Sequence, residues 1–210
     1  MVQIVRPEDI EKQSFCMIEE ELRERNITLA KENADVIKRV IHTTADFDYT
    51  ETMVFSEGAV KTARGLICQG ADIVTDTQMA LAGINKKRLA AFGGEAHCYM
   101  ADDRVAEEAG RRAVTRATVS MEYAARSSKP IIFVIGNAPT ALIRLYQMIE
   151  ERAYAPAFII GVPVGFVNVE AAKELILQTD VPHIVNRGRK GGSNVAAAIC
   201  NALLYGCRGE

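Results

Sequence analysis

Ile131-Ile132-Phe133-Val134-Ile135-Gly136-Asn137-Ala138-Pro139 decides the fold. Five successive apolar residues, mostly β-branched, make a strand buried on both faces. Gly136 allows a tight turn, and Pro139 suits the first turn of a helix, which the pattern carries to about residue 152. A strand that runs straight into a helix is half of a βαβ unit. The same alternation continues downstream: a strand at 158–160, a helix at 169–178, a strand at 183–185 and a closing helix at 194–205. Upstream lie strands at 71–76 and 96–100 and one long helix from 102 to about 126. The chain opens with helices at 7–25, 30–43 and 56–70, the last capped by Ser56. The expected fold is α/β. It is a three-layer α/β/α arrangement around a mainly parallel, doubly wound sheet, with the N-terminal helices as a cap or an oligomer surface. Residues 1–210 are read as one domain.

Composition narrows the function. Lys plus Arg is 25 and Asp plus Glu is 27, giving a net charge of −2, without the basic excess of a general nucleic-acid binder. The longest apolar runs, 130–135 and 157–167, fall short of the roughly 20 residues that cross a bilayer. Met1-Val-Gln-Ile-Val-Arg6 does not read as a signal peptide. The cysteines Cys16, Cys68, Cys98, Cys200 and Cys207 are odd in number and show no C-x-x-C spacing. A cytoplasmic protein with free thiols, no membrane anchor and no nucleic-acid partner is expected.

In an open parallel sheet the ligand site lies beyond the carboxyl ends of the strands. The loops there are 76–78, 136–140, 161–165 and 187–193. The turn at 136–140 leaves helix N-terminal N–H groups as a seat for a carboxylate or phosphate, with the Asn137 amide as an added donor; a plain βα turn is the other reading. Arg187-Gly188-Arg189-Lys190-Gly191-Gly192-Ser193 combines three cations with three glycines, either as an anion-binding loop or as a solvated basic one. Arg111, Arg112 and Arg116 fall on the long helix, with Arg112 and Arg116 on one face. His42 stands at a helix C-terminus, whose negative pole favours imidazolium, with Arg39 on roughly the same face. It is either an acid or a structural helix-end histidine. His97 and His183 read as structural. No zinc spacing, no G-x-S-x-G, no G-x-x-x-x-G-K-[ST] and no G-x-G-x-x-G is present. The missing phosphate fingerprints count against a nucleotide-dependent enzyme.

Several stretches together resemble the precorrin-8X methylmutases, also called cobalt-precorrin-8 methylmutases. They are Ser14-Phe15, Arg39-Val40-Ile41-His42, Phe55-Ser56, Asp76 with Met79 and Gly83, Thr115-Arg116, Ile135 through Leu142, Gly161-Val162-Pro163-Val164-Gly165-Phe166-Val167, and Arg187-Gly188-Arg189 with Gly191-Gly192-Ser193. The resemblance spans nearly the whole chain in order. It implies a sigmatropic methyl shift from C-11 to C-12 of a corrin precursor, giving hydrogenobyrinic or cobyrinic acid. It also implies His42 as the proton donor, and Ser14 and Arg39 as substrate contacts. Arg116, Asn137 and the loop residues Arg187, Arg189, Gly191, Gly192 and Ser193 then face a polycarboxylate tetrapyrrole. The resemblance further implies a homodimer and no dissociable cofactor, and the residue spacing by itself predicts no metal site. The competing reading is a non-catalytic tetrapyrrole carrier on the same fold.

Overall fold

The computed structural model describes residues 6–207, so the first five residues, part of the N-terminal stretch read above, lie outside it. A six-stranded sheet forms the middle layer, in the order β1-β6-β5-β4-β2-β3. Its strands are β1 (Met53–Phe55), β2 (Asp72–Thr75), β3 (Ala96–His97), β4 (Ile131–Ile135), β5 (Phe158–Gly161) and β6 (His183–Asn186). All neighbours pair in parallel except β1, which lies antiparallel against β6 at the edge. The chain passes from β2 out to β3, then returns across β2 to β4, β5 and β6. The winding direction therefore reverses between β2 and β4, and a cleft opens there beyond the strand ends.

The central strands are buried on both sides, and their residues alternate between two cores as the two-residue repeat requires. Ile132, Val134, Phe158, Ile160 and Ile184 face one core. It is covered by α1 (Pro7–Glu24), α2 (Ala34–Thr44), α4 (Ala59–Cys68), α5 (Gln78–Gly83), α6 (Lys86–Ala90) and α11 (Ser193–Gly206). Ile131, Phe133, Ile135, Ile159 and Val185 face the other, beneath α8 (Arg116–Ala124), α9 (Pro139–Glu150) and α10 (Val169–Leu177). This is the three-layer doubly wound arrangement expected.

The strand read over 96–100 stops at His97, with a 3-10 turn over Tyr99–Ala101, and two further expectations fail, each for a local reason. The helix read over 102–126 is two helices, α7 (Asp103–Arg112) and α8. Ala113 turns left-handed at φ 53°, and the Val114 N–H closes back onto the Ala109 carbonyl at 3.1 Å, a helix-ending wrap. Thr115 then caps α8 by accepting from the Thr118 N–H at 3.2 Å. Arg112 and Arg116 therefore do not share a helical face. The second failure is at 53–58, where α3 (Tyr49–Thr52) leads into the edge strand β1. Ser56 does not cap the next helix. Its hydroxyl accepts the His183 N–H at 2.9 Å and extends the β1–β6 pairing, and α4 begins only after Gly58 turns left-handed at φ 63°.

Candidate active site

His42 sits in the last turn of α2, exposed, with its ring stacked on Phe15 of α1 at 5.2 Å between centroids and 10° between planes. Helix α2 ends there because Ala45 adopts the left-handed conformation (φ 53°), while the hydroxyls of Thr43 and Thr44 donate to the carbonyls of Arg39 and Val40. The two threonines thus finish the helix and leave the imidazole outside it. The His42 ring nitrogens make no hydrogen bond among the described residues. His42 forms part of the wall of two cavities. One, of about 280 Å³, is shared with Ser14, Met17 and Phe47. The other, of about 310 Å³, is shared with Arg39, Asn194 and Tyr205. Arg39 is ion-paired to Glu11 and lies over two rings, Phe15 at 4.7 Å and Tyr205 at 5.3 Å. The Ser14 hydroxyl donates back to the Ile10 carbonyl at 2.9 Å. Ser14, Arg39 and His42 are therefore grouped by two packed helices.

The strand-end loops come up against this group from the other side. Gly136 is required here, because a Cβ would lie 2.8 Å from the Ser193 Cα. The Ser193 hydroxyl in turn meets that of Thr77 at 2.7 Å. Loop 187–193 thus rests on the ends of β2 and β4, and Asn194 carries it into the cavity with His42. Each of its cations has a carboxylate partner: Arg187 with Glu174 at 3.1 Å, Arg189 with Glu170 at 2.7 Å, and Lys190 with both Asp46 and Asp48 at 2.6 Å. Gly191 approaches the chain just past β5 so closely that a Cβ would fall 2.1 Å from the Val162 carbonyl oxygen. Gly191→Ala is expected to displace the loop, lowering the thermal midpoint and weakening ligand binding together. Unchanged binding by titration would remove the loop from the site.

The anion seat at the start of α9 is not open, which corrects the expectation of free N–H groups there. The Asp76 carboxylate accepts from the N–H groups of Gly136 (2.8 Å), Asn137 (2.8 Å) and Ala138 (2.5 Å). Asp76 is buried, and burial pushes its carboxyl up from the ordinary range against the pull of these three donors. The Asn137 side chain remains exposed. Arg116 opens α8 close to the same turn, since the Thr115 hydroxyl donates to that of Thr140 at 2.9 Å and ties the start of α8 to the start of α9. Arg116 has no ion-pair partner among the described residues. Arg111 and Arg112 turn away, to Glu108 and Glu122.

Residue-type patterns missed two parts of the site. One is the role of Asp76, which the strand-end position and the family motif both pointed to without telling that its carboxylate fills the N–H seat. The other is an apolar rim: Phe166 is 81% exposed, Val167 79%, Met79 70% and Val164 46%, all in loops or first turns beyond the strand ends. Val164, Phe166 and Val167 share one loop, and exposed large apolar side chains held together in this way mark a binding surface. The motif containing Phe166 and Val167 was visible in the sequence, but nothing in it told that these side chains point outward.

The fold and site thus define a doubly wound α/β protein whose phosphate seat is filled by its own carboxylate and whose strand-end loops expose apolar side chains. Comparison with known proteins narrows this. The family model of precorrin-8X methylmutase matches residues 9–206. The chain is 44% identical over 209 residues to the cobalt-precorrin-8 methylmutase of Salmonella typhimurium, covering 98% of each. It is 43% identical to that of Priestia megaterium, over 95% of this chain and 88% of the other. The crystal structure of precorrin-8X methyl mutase from Thermus thermophilus superposes with a TM-score of 0.84 at 36% identity, covering 94% of this chain and 96% of that one. The chain belongs to the precorrin-8X methylmutase family.

Proposed function

We propose that the chain is an isomerase of corrin biosynthesis that moves a methyl group from C-11 to C-12 of precorrin-8 or cobalt-precorrin-8. The reaction breaks one carbon–carbon bond and forms another within one π system, so it calls for no nucleophile, nucleotide or dissociable cofactor. It calls for a proton at the right place on the macrocycle and a fixed ring geometry. The observation that carries the reading is the setting of His42, an exposed imidazole on Phe15 in the wall common to two cavities. In this reading His42 gives a proton to the macrocycle and takes one back after the shift, so the isomerisation stays proton-neutral. Ser14 and Arg39 hold the ring edge beside it. Arg116, Asn137 and the 187–193 loop (Arg187, Arg189, Gly191, Gly192, Ser193) meet the peripheral carboxylates, and Phe166, Val167 and Met79 meet the apolar face. The protein works as a cytoplasmic enzyme with free thiols.

Each cavity beside His42 is near the low end of the roughly 300–1,000 Å³ typical of ligand sites, too small to enclose a tetrapyrrole. Enclosing the ligand takes a second copy of the chain, so the proposed working form is a homodimer. Sedimentation should give about twice the 23.0 kDa chain mass. The function itself is tested by incubating the purified chain with precorrin-8 or its cobalt form and following the visible spectrum. Conversion to the corrin spectrum is expected, and a spectrum that does not move beyond simple binding sinks the proposal. Arg39→Glu should raise the substrate Kd by about tenfold or more, because it replaces an attractive charge with a repulsive one. An unchanged Kd by absorbance titration takes Arg39 out of the site.

A further inference from the structure

Lys173 of α10 is fully buried, yet no carboxylate lies within ion-pair distance of it among the described residues. Its ammonium donates to two backbone carbonyls, Gly188 at 2.7 Å and Lys190 at 2.8 Å. Burial pushes its pKa down to about 8, so the charged form still prevails at neutral pH. An unpaired interior charge is unfavourable, and a leucine or methionine would fill the same space without that cost. The group is explained by what it holds.

The carbonyls on either side of those two are also held from within. The Asn186 amide, itself buried, donates to the carbonyls of Arg187 (3.1 Å) and Lys190 (2.9 Å), and the Gly165 N–H donates to that of Arg189 (3.2 Å). Four successive carbonyls, 187 to 190, are thus held by inner donors. The turn depends on Gly188 at φ 72°, and Gly192 anchors the far end through its N–H to the Val162 carbonyl at 2.9 Å. With its carbonyls held inward, the loop has one conformation in which to present its arginines and its glycine–serine end.

We infer that Lys173 is a positioning residue for substrate binding: from beneath, its ammonium clamps the carbonyls of Gly188 and Lys190 and fixes the shape of the 187–193 loop. The inference rests on the proposed role of that loop in holding substrate carboxylates. It separates Lys173 from His42, because a loosened loop weakens binding while the proton donor, on a different helix, stays in place.

The test uses the full chain with precorrin-8 as substrate. Lys173→Met removes the ammonium and keeps the apolar stem. KM should rise about tenfold or more with kcat within about twofold, and amide hydrogen exchange should quicken across 187–193 while α10 stays protected. Lys173→Arg, which keeps a charged donor, should recover most of the native KM. A folded Lys173→Met with native KM overturns the inference. So does a parallel loss of kcat and thermal stability that Lys173→Arg does not mend. If Lys173→Met fails to fold, Lys173→Gln, an uncharged donor in the same place, takes over the test with the same two outcomes. Arg189→Ala is measured alongside. If it binds normally while Lys173→Met does not, the clamp stands and Arg189 loses its role, whereas normal KM in both removes the loop from binding.

Discussion

His42→Ala should bind the tetrapyrrole with near-native affinity and turn it over about 10²- to 10⁴-fold more slowly, the usual range for a positioned general acid. The structure separates the two effects. The ring makes no hydrogen bond that holds the fold, and its removal forfeits one stacked contact with Phe15, worth about 0.5–1.5 kcal/mol. The surrounding wall, with Arg39 between two aromatic rings and Ser14 on α1, is unchanged by it. Single-turnover spectra at saturating protein give the comparison free of differences in affinity. Normal turnover in the variant would strip His42 of its role. If the native protein and the variant both bind the pigment and neither converts it, the chain is a carrier.

The largest effect on stability is expected at Asp76. Removing the carboxylate with Asp76→Ala leaves the buried N–H of Gly136 and those of Asn137 and Ala138 without their acceptor, at the junction of β2, β4 and α9. Loss of one partner from such a buried charged network costs about 3–5 kcal/mol. Asp76→Asn keeps one oxygen but turns an amide donor toward other donors, and should cost somewhat less. Urea denaturation followed by circular dichroism measures both. A loss under about 1 kcal/mol for Asp76→Ala would mean that water replaces the carboxylate and that the seat is open after all.

The layers and the parallel sheet were readable because β4 and β5 are short apolar runs, β2 and β6 have β-branched pairs at their centres, and each is followed by a helix. The edge strand β1 was not. Met53-Val54-Phe55 is three residues long, follows a helical turn, and gains its identity only by pairing with β6, some 130 residues away in sequence. The break between α7 and α8 was hidden because Ala113 is a good helix former, and its left-handed turn is set by the wrap of Val114 onto Ala109. In the candidate site, Ser14, Arg39 and His42 were singled out by the family motifs and the helix end, and the glycine loop by its composition. That loop's cations proved to be ion-paired, and its buried support, Lys173, lay unnoticed in an ordinary amphipathic helix. Partners distant in sequence leave no local pattern.

A living cell is crowded with nucleotides and sugar phosphates, and the winding reversal of a doubly wound sheet is where such molecules habitually settle. Here that berth is occupied in advance by a side chain of the protein. A stray phosphate arriving at the mouth finds the N–H groups of the turn already taken. Selectivity against the commonest anions in its surroundings is thereby built into the turn itself, before any contact with the proper substrate is made.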